Sequence, residues 1–587
     1  MRLAEIIIEN YRGIGEPLRI KINDIVVLIG NNNIGKTTVL SAYEAFATVG
    51  HQLKIADFHE ENQDNTPTIT GIFIDIIEGE LADKWIHNDS ELGYARCIKV
   101  QYKWLKPDIP GVKYSFSGES HEYVQGGTGG FESILASKIP APLKITPTDN
   151  PTVLEGKILS ILTDAIKENM KTEQSSISGL LTQIETLAND VRGKIEDDLQ
   201  ESTGLIALEL QKIFPEFNHV EIDVKSGKIE PEKLISSGSF IRIGNKAVGD
   251  AVENHSVPLS HHGTGLQRTF LWAALKMLAD TGRHKIGRSS LDTSRSKILL
   301  IEEPEAFLHP AAIREAREAL YAIAKLANWQ VMTTTHSPVF IDLSKDHTTI
   351  IRLEKSAEGI RSVKTLTTEE VGFTKDDKEN LKMLNFCNPY INEFFFAEHN
   401  LLVEGETEYS VIKLLISEGI ITKPIHVINC IGKANIVTIS KILNSFLVPY
   451  SVLHDSDNPT IIREKKKTRN GAWTINKSII EEVTRGQEKG IDIKTFISIP
   501  HFEGEYLNNI KGSSKPYEAW KYFKKEDNEN TKRFISLLKS VVGLEANIAD
   551  EQYSVFGDIE ERVKKFIDES SLQADDKWDL DYYNNSK

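Results

Sequence analysis

Cysteine is almost missing from this sequence: Cys97, Cys387 and Cys430 are the three among 587 residues. An odd, scattered set with no CxxC pair excludes a disulfide framework and a zinc site, leaving buried, inert thiols as the expectation. Also lacking is any apolar run near the roughly 20 residues needed to cross a bilayer, so no membrane partner is expected. The opening stretch MRLAEIIIENYRG breaks its short apolar run with acidic and polar residues, which reads as a strand rather than a secretory signal, and cytoplasmic residence is the corresponding expectation. Positive charge is in deficit too. A formal net charge of −16 gives no general attraction to polyanions, so any nucleic-acid contact must come from a local basic patch.

What is present is length and α/β patterning. A chain of 587 residues exceeds what one hydrophobic core serves, so two or three domains are expected. AEIIIEN and DIVVLIG read as strands, and a glycine-rich loop after the second opens a helix near Lys36. Pro and Gly punctuate residues 126–151 as loops. The proline-free stretch from Val153 to Ile213 then shows helical spacing at Ile177, Leu180, Ile184, Leu187 and Val191. A polar stretch from Asp280 to Ser296 reads as a loop before the buried strand KILLIEE, with WQVMTTTH as another strand. Beyond a mixed, charged region, strand-like and helix-like segments alternate again from about Glu393. The expected layout is therefore residues 1–152 and 241–365 as one interrupted domain, 153–240 as a helical insertion, 366–392 as a linker and 393–587 as a second α/β domain.

Gly30 to Thr37 reads GNNNIGKT, a P-loop pattern in the strand-to-helix context it requires. The loop backbone from Asn31, Asn32, Asn33 and Gly35 would cradle phosphates. Lys36 would reach the β- and γ-phosphates, and Thr37, with Thr38 beside it, would offer hydroxyls to phosphate and magnesium. ILLIEEPEAFLHP places Glu302 and Glu303 at the end of a buried strand, where one carboxylate can hold magnesium and the next can polarise water. His336 follows the strand QVMTTTH. A lone histidine is more often structural, but its place in this order singles it out.

SHHGTGLQR (Ser260 to Arg268) resembles a degenerate ABC signature, and NYRG at Asn10 resembles the opening of RecF and SMC heads. P-loop, insertion, signature, acidic strand and histidine follow the order of an ABC head. In that class nucleotide is sandwiched between two heads, so the resemblance implies that Gly263, Thr264 and Gly265 act on a partner's ATP and that the protein is at least a homodimer. Gln63 and Gln101 are both candidates for the Q-loop. Glu302 stands where many ABC proteins have aspartate.

In the C-terminal third, LLVEGETEY puts Glu404 at the end of an apolar strand and Glu408 one helical turn on. Some fifty residues later YSVLHDSD ends with Asp455 and Asp457 on one side of the chain. Four converging carboxylates repel unless a cation joins them, and hard oxygen donors suit magnesium, manganese or calcium. Glutamate followed by DxD is the Toprim pattern, and a Toprim domain behind an ABC head resembles the OLD (overcoming lysogenization defect) family, with the nuclease component of Gabija defence systems as a relative. HFEGEYL (Glu503, Glu505) and GSSKPYEAW (Lys515) fall near where that family carries a further acidic ligand and a catalytic lysine. The basic run Arg463, Lys465, Lys466, Lys467 and Arg469 either grips phosphates or forms a solvated loop.

The resemblance implies an α/β chain with an ABC-type, RecF/SMC-like ATPase head and a Toprim domain, hydrolysing ATP and cutting DNA by two-metal chemistry in which carboxylate-held cations activate water and stabilise the leaving oxygen while Lys515 neutralises developing phosphate charge, in antiviral defence. A helicase partner is a further implication. The competing readings are a nucleic-acid clamp whose Toprim carboxylates are not catalytic, and strand passage or primer synthesis; no tyrosine nucleophile domain or zinc module supports the last. The helical insertion is expected either to make a subunit contact or to pack within its own chain.

Overall fold

The computed structural model describes residues 1–76, 81, 83–89, 93–125, 138–159, 202–223, 240–245, 255–281, 296–356, 359–388, 391–507, 514–525, 528–544, 552–570, 572 and 577–585. Two compact units emerge. Unit 1 comprises Met1–Phe340 and His347–Val363, and unit 2 comprises Ile341–Asp346 and Lys364–Lys587.

Unit 1 begins with β1 (Arg2–Glu9), β2 (Leu18–Lys21), β3 (Ile25–Ile29) and helix α1 (Lys36–Ala47). There follow β4 (Thr68–Ile74), β5 (His87–Asp89), β6 (Tyr94–Lys103), β7 (Val112–Phe116), β8 (Tyr123–Gln125) and β9 (Ala141–Ile145). Next come β10 (His219–Asp223), β11 (Phe240–Asn245), β12 (His255–Pro258), α2 (Thr264–Thr281), β13 (Lys297–Glu302), α3 (Pro310–Ala324), β14 (Trp329–Thr334), β15 (Thr348–Ser356) and β16 (Gly359–Thr367). One sheet has the order β2-β1-β4-β6-β7-β8, with β5 paired to β6, and its pairings are antiparallel. The other runs β16-β15-β3-β14-β13-β9, with parallel pairing from β15 through β9.

All five residues of β3, IVVLI, are buried, as befits a strand covered on both faces. Helix α1 packs against both sheets. Its Phe46 stacks on Phe73 of β4 with ring centroids 6.0 Å apart, and Tyr43 Oη donates to the Pro140 carbonyl at 2.7 Å. Burying each such aromatic contributes about 1.5–3 kcal/mol, so the P-loop helix is clamped along its length.

Three expectations need correction here. Residues 141–145 form β9 and not a loop; Pro142 is tolerated because β9 is an edge strand, where a missing N–H breaks no ladder. The insertion is not wholly helical, since Val220 and Ile222 alternate with polar neighbours and β10 joins β11 and β12 in a three-stranded sheet. The helical spacing at Ile177, Leu180, Ile184, Leu187 and Val191 lies outside the described residues, as do residues 282–295 of the polar loop.

The third correction concerns residues 366–392. They carry a single turn, Thr368–Val371, and helix α4 (Lys375–Cys387), which belong to unit 2. A capping box joins Thr374 and Asp377, and Asp377 also pairs with Lys441 at 2.9 Å. Its charged composition read as a linker because those charges are used in capping and pairing.

The rest of unit 2 is a doubly wound domain: β17 (Asn400–Val403), α5 (Glu406–Ser417), β18 (His426–Asn429), α6 (Lys433–Ser445) and β19 (Tyr450–Asp455). It continues with the ribbon β20 (Thr460–Arg463) and β21 (Lys466–Arg469), then α7 (Gly471–Glu488), β22 (Ile493–Ser498), α8 (Phe502–Tyr506), α9 (Lys515–Lys525), α10 (Glu529–Val541) and α11 (Phe556–Glu569). Its parallel sheet has the order β18-β17-β19-β22. The chain leaves β17 toward one edge and returns past it to β19, so the crevice between the carboxyl ends of β17 and β19 is a topological switch point, where open α/β sheets hold ligands.

Candidate functional site

Two sites are built, one in each unit. In unit 1 the P-loop leaves β3 through Gly30, at φ 147, and enters α1 through Gly35, at φ 88. Neither position tolerates a side chain: a Cβ at Gly30 would lie 2.7 Å from the Leu353 carbonyl oxygen, and one at Gly35 would lie 2.1 Å from Ile360 Cδ1. Lys36 Nζ donates to the carbonyls of Gly30 (3.0 Å) and Asn31 (2.9 Å), folding the ammonium over the loop. Burial pulls the Lys36 pKa below its ordinary value, against the opposing pull of Glu303 and Glu305.

A cavity of about 540 Å³ opens over the loop, lined by residues 32–37 with Glu303, Thr334 and His336. That volume suits a cofactor-sized ligand. The strand order β3-β14-β13 explains the grouping, because P-loop, histidine and acidic strand end side by side. Burial, then Lys36, lowers the His336 pKa, while Glu303 raises it. Asn31 is exposed and Thr38 is buried in α1, and neither lines this cavity.

Glu302 does not line this cavity. Its carboxylate is 3.4 Å from Lys144 Nζ, and Lys144 also donates to Glu44 (3.0 Å) and Ser41 (2.9 Å). Burial raises the Glu302 pKa and Lys144 opposes it, so β9, the strand missed in the sequence, supplies the counter-charge. Glu305 was also missed. It accepts from the His336 backbone N–H at 2.7 Å and from Thr335 Oγ1 at 2.8 Å, tying the histidine to the acidic turn. The repeated glutamates of EEPE were the one signal for it. Gly263 and Thr264 are exposed at the start of α2 and do not line the cavity. Neither does Gly265, Gln63 or Gln101; Gln101 donates to Thr70 Oγ1 at 2.9 Å within the antiparallel sheet.

In unit 2, Glu404 follows β17 and Glu408 sits buried in the first turn of α5. Glu404 Oε2 accepts from the Asp455 backbone N–H at 3.2 Å, which brings the two strand ends together. Asp455 Oδ1 accepts from the Phe502 N–H at 2.8 Å. Phe502 and Tyr506 anchor α8 on Phe534, with centroids 5.0 Å from it, and this leaves Glu503 facing the crevice. There Glu503 Oε1 accepts from Thr407 at 3.2 Å and lies 3.5 Å from Lys515 Nζ.

The electrostatics are those of crowded acids. Burial, followed by Glu408 and Glu404, pushes the Asp455 carboxyl well above its usual range. Burial first, with Glu404 and Glu503 adding to it, raises Glu408 to about 7. Glu404 is raised by burial, with Lys433 opposing. His501 at 3.3 Å, together with Lys515, holds Glu503 down at about 2 despite burial. An all-oxygen donor set crowded in this way fits a hard divalent cation.

One expected member is turned away from the cluster, and another stays beside it but is engaged by a lysine. Glu505 accepts from the Ile499 N–H at 2.7 Å and pairs with Arg533 at 2.7 Å, so it is not brought to the cluster. Asp457, at φ 61, pairs at 2.6 Å with Lys433, a residue absent from the sequence reading. In the basic run, Lys467 pairs with Asp579 at 2.8 Å and Arg469 donates to the Tyr583 carbonyl at 2.8 Å, whereas Arg463, Lys465 and Lys466 are exposed. Cys97 and Cys430 are buried, but Cys387 is exposed, against expectation; it is the last residue of α4. No helix among the described residues is long and apolar enough to cross a membrane.

The family described as AAA ATPase domain matches residues 1–125 and 146–341, more than half of the chain. The family described as overcoming lysogenization defect protein-like, TOPRIM domain, matches residues 395–457. The Old nuclease of Escherichia phage P2 is 23% identical over 547 residues, covering 86% of this chain and 88% of the relative. The OLD nuclease of Thermus scotoductus is 28% identical over 278 residues, 46% of this chain and 50% of the relative. Endonuclease GajA of Bacillus cereus is 25% identical over 321 residues, 48% of this chain and 45% of the relative.

Proposed function

Because the chain belongs to the AAA ATPase domain family and joins that domain to an OLD-like Toprim domain, we propose that it is an ATP-hydrolysing, divalent-metal-dependent DNA endonuclease. The observation that carries this reading is the meeting of Glu404 and Asp455 at the switch point of the unit 2 sheet, with Glu408 and Glu503 alongside. Relatives named as nucleases support the reaction class.

Glu404, Glu408 and Asp455 would hold the cation, magnesium or manganese in the first instance, with Asp457 and Glu503 at its margins. Bound there, a divalent cation supplies Lewis acidity toward water and phosphate. Backbone N–H groups of Asp455 and Phe502 orient two of the carboxylates. The Lys515 side chain is 56% exposed, which suits an ammonium that meets a phosphate arriving from solvent. Glu503 holds it at the rim of the acidic crevice and keeps it aimed there.

In unit 1 the P-loop and Lys36 would bind the nucleotide phosphates, with Thr37 toward magnesium. Glu303 would orient water, and Glu305 holds His336 in place beside it. Glu302 would hold the magnesium, with Lys144 at 3.4 Å offsetting part of its charge. Gly263 and Thr264, exposed and away from the cavity of their own chain, suit completion of a second copy's site, so the active form is a homo-oligomer. A role in antiphage defence and a helicase partner rest on the family resemblance.

The direct test is supercoiled plasmid incubated with magnesium or manganese, with and without ATP. Wild type should nick it and Glu404→Ala should not. Wild-type inactivity across all metals and nucleotides would defeat the nuclease reading. Full activity of Glu404→Ala would instead favour the nucleic-acid clamp.

A further inference from the structure

Lys433 is 5% exposed, and its ammonium is spent on one turn. Nζ donates to the Asp455 carbonyl at 2.6 Å and to the Ser456 carbonyl at 3.4 Å, and pairs with Asp457 Oδ2 at 2.6 Å. The turn is held from other directions as well. Asp457 N–H donates to the Pro500 carbonyl at 3.0 Å, Ser456 N–H to the Ser498 carbonyl at 2.9 Å, and Asn476 Nδ2 to the Ser456 carbonyl at 3.0 Å. The Asp455 carbonyl also accepts from His454 Nδ1 at 2.8 Å, whose other ring nitrogen meets Tyr553 Oη. The backbone could therefore hold this turn without a lysine.

Enclosing an ammonium is costly in desolvation unless its surroundings offset the cost. A tether alone does not require a charge, because an amide can donate to two carbonyls. What the charge adds is neutralisation: Lys433 pairs with the Asp457 carboxylate and opposes the charge of Glu404, in a crevice whose carboxylates repel one another. The cluster thus has one fixed cation built in, and the charge that Glu404, Glu408, Asp455 and Asp457 still carry when ionised is left for divalent metal.

We propose that Lys433 is a positioning residue that holds Asp457 and the 455–457 turn ready before metal arrives and competes with metal for Asp457. This rests on the reading of the cluster as a divalent-cation site. The site is thus partly neutralised from within, and metal binding is weaker and better ordered than four bare carboxylates would make it.

Two consequences separate this from a purely structural lysine. Removing the ammonium should make metal-free protein less stable and at the same time make it bind metal more tightly, since the competitor for Asp457 and a repelling charge are both gone. A structural tether predicts lower stability with unchanged or weaker binding.

The test uses the full-length chain, wild type against Lys433→Met, with Mn²⁺ alone titrated by calorimetry, melting followed in chelator, and plasmid nicking at saturating Mn²⁺. The variant should melt at lower temperature in chelator, bind Mn²⁺ about tenfold more tightly and nick at least tenfold more slowly. Lys433→Gln, which keeps donors for the carbonyls without the charge, should show the same tightening and serves if the methionine variant fails to fold. Unchanged or weaker Mn²⁺ affinity in the folded variants overturns the proposal and leaves the nuclease reading standing. Wild type that binds Mn²⁺ yet nicks nothing defeats the nuclease reading and leaves the role of Lys433 to the binding comparison.

Discussion

At the scale of single residues, charge is distributed so that each acidic centre carries its own lysine: Lys144 at Glu302 and Lys433 at Asp457. For the ATPase site the account predicts that Lys36→Ala lowers hydrolysis at least a hundredfold, in line with loss of a fixed donor aimed at developing charge, as read by phosphate release. Nicking by the same variant then reports the coupling, and equal loss of both activities would show that hydrolysis is obligatory. Glu305→Gln keeps the size of the side chain but weakens its hold on His336; a tenfold fall in ATP turnover with little change in ATP affinity is expected. Unaltered turnover would remove Glu305 from the site. The acids themselves were legible because they end apolar strands. The lysines were not, since Lys144 lies in a segment that reads as a loop and Lys433 begins a helix where a surface lysine is the ordinary reading.

At the scale of elements, local geometry controls whether the sites form. Gly35→Ala should cost nucleotide affinity at least tenfold by equilibrium binding, because the residue adopts φ 88 and a Cβ would collide with Ile360. Helix α4 offers a test outside both sites. Burial raises the Asp377 pKa, but Lys441 and Thr374 outweigh it and the net shift is downward from 3.8. A carboxyl depressed on folding adds stability above its unfolded value and loses it as pH falls through its folded value. Asp377→Asn should therefore lower the stability of unit 2 by about 2 kcal/mol near neutrality, with the difference from wild type shrinking below pH 3.8. A difference independent of pH would contradict the pairing. The apolar strands β3, β13, β17 and β19 were readable because burial on both faces leaves little alternative for IVVLI or NLLV. β9 and β10 were not, since two or three apolar residues beside proline or acids carry too weak a period. The linker expectation failed for a related reason, as α4 is capped and paired by the same charges that made it look solvated.

For the whole molecule, the chain combines a nucleotide cavity without its expected signature residues and an acidic crevice built within one copy. ATP should therefore drive association of two chains, and light scattering should show a larger species for a hydrolysis-slow Glu303→Gln variant with ATP than without it. No change in mass would mean that Gly263 and Thr264 serve another purpose. Glu404, Glu408, Asp455 and Glu503 come from one copy, and on the proposed reading cutting depends first on the cation they hold. The most direct measurement of that claim compares wild type with Asp455→Asn in a plasmid-nicking assay across a manganese titration. The account predicts nicking that rises with manganese in wild type and at least a hundredfold less in the variant at every concentration. Equal nicking by the two proteins would contradict it.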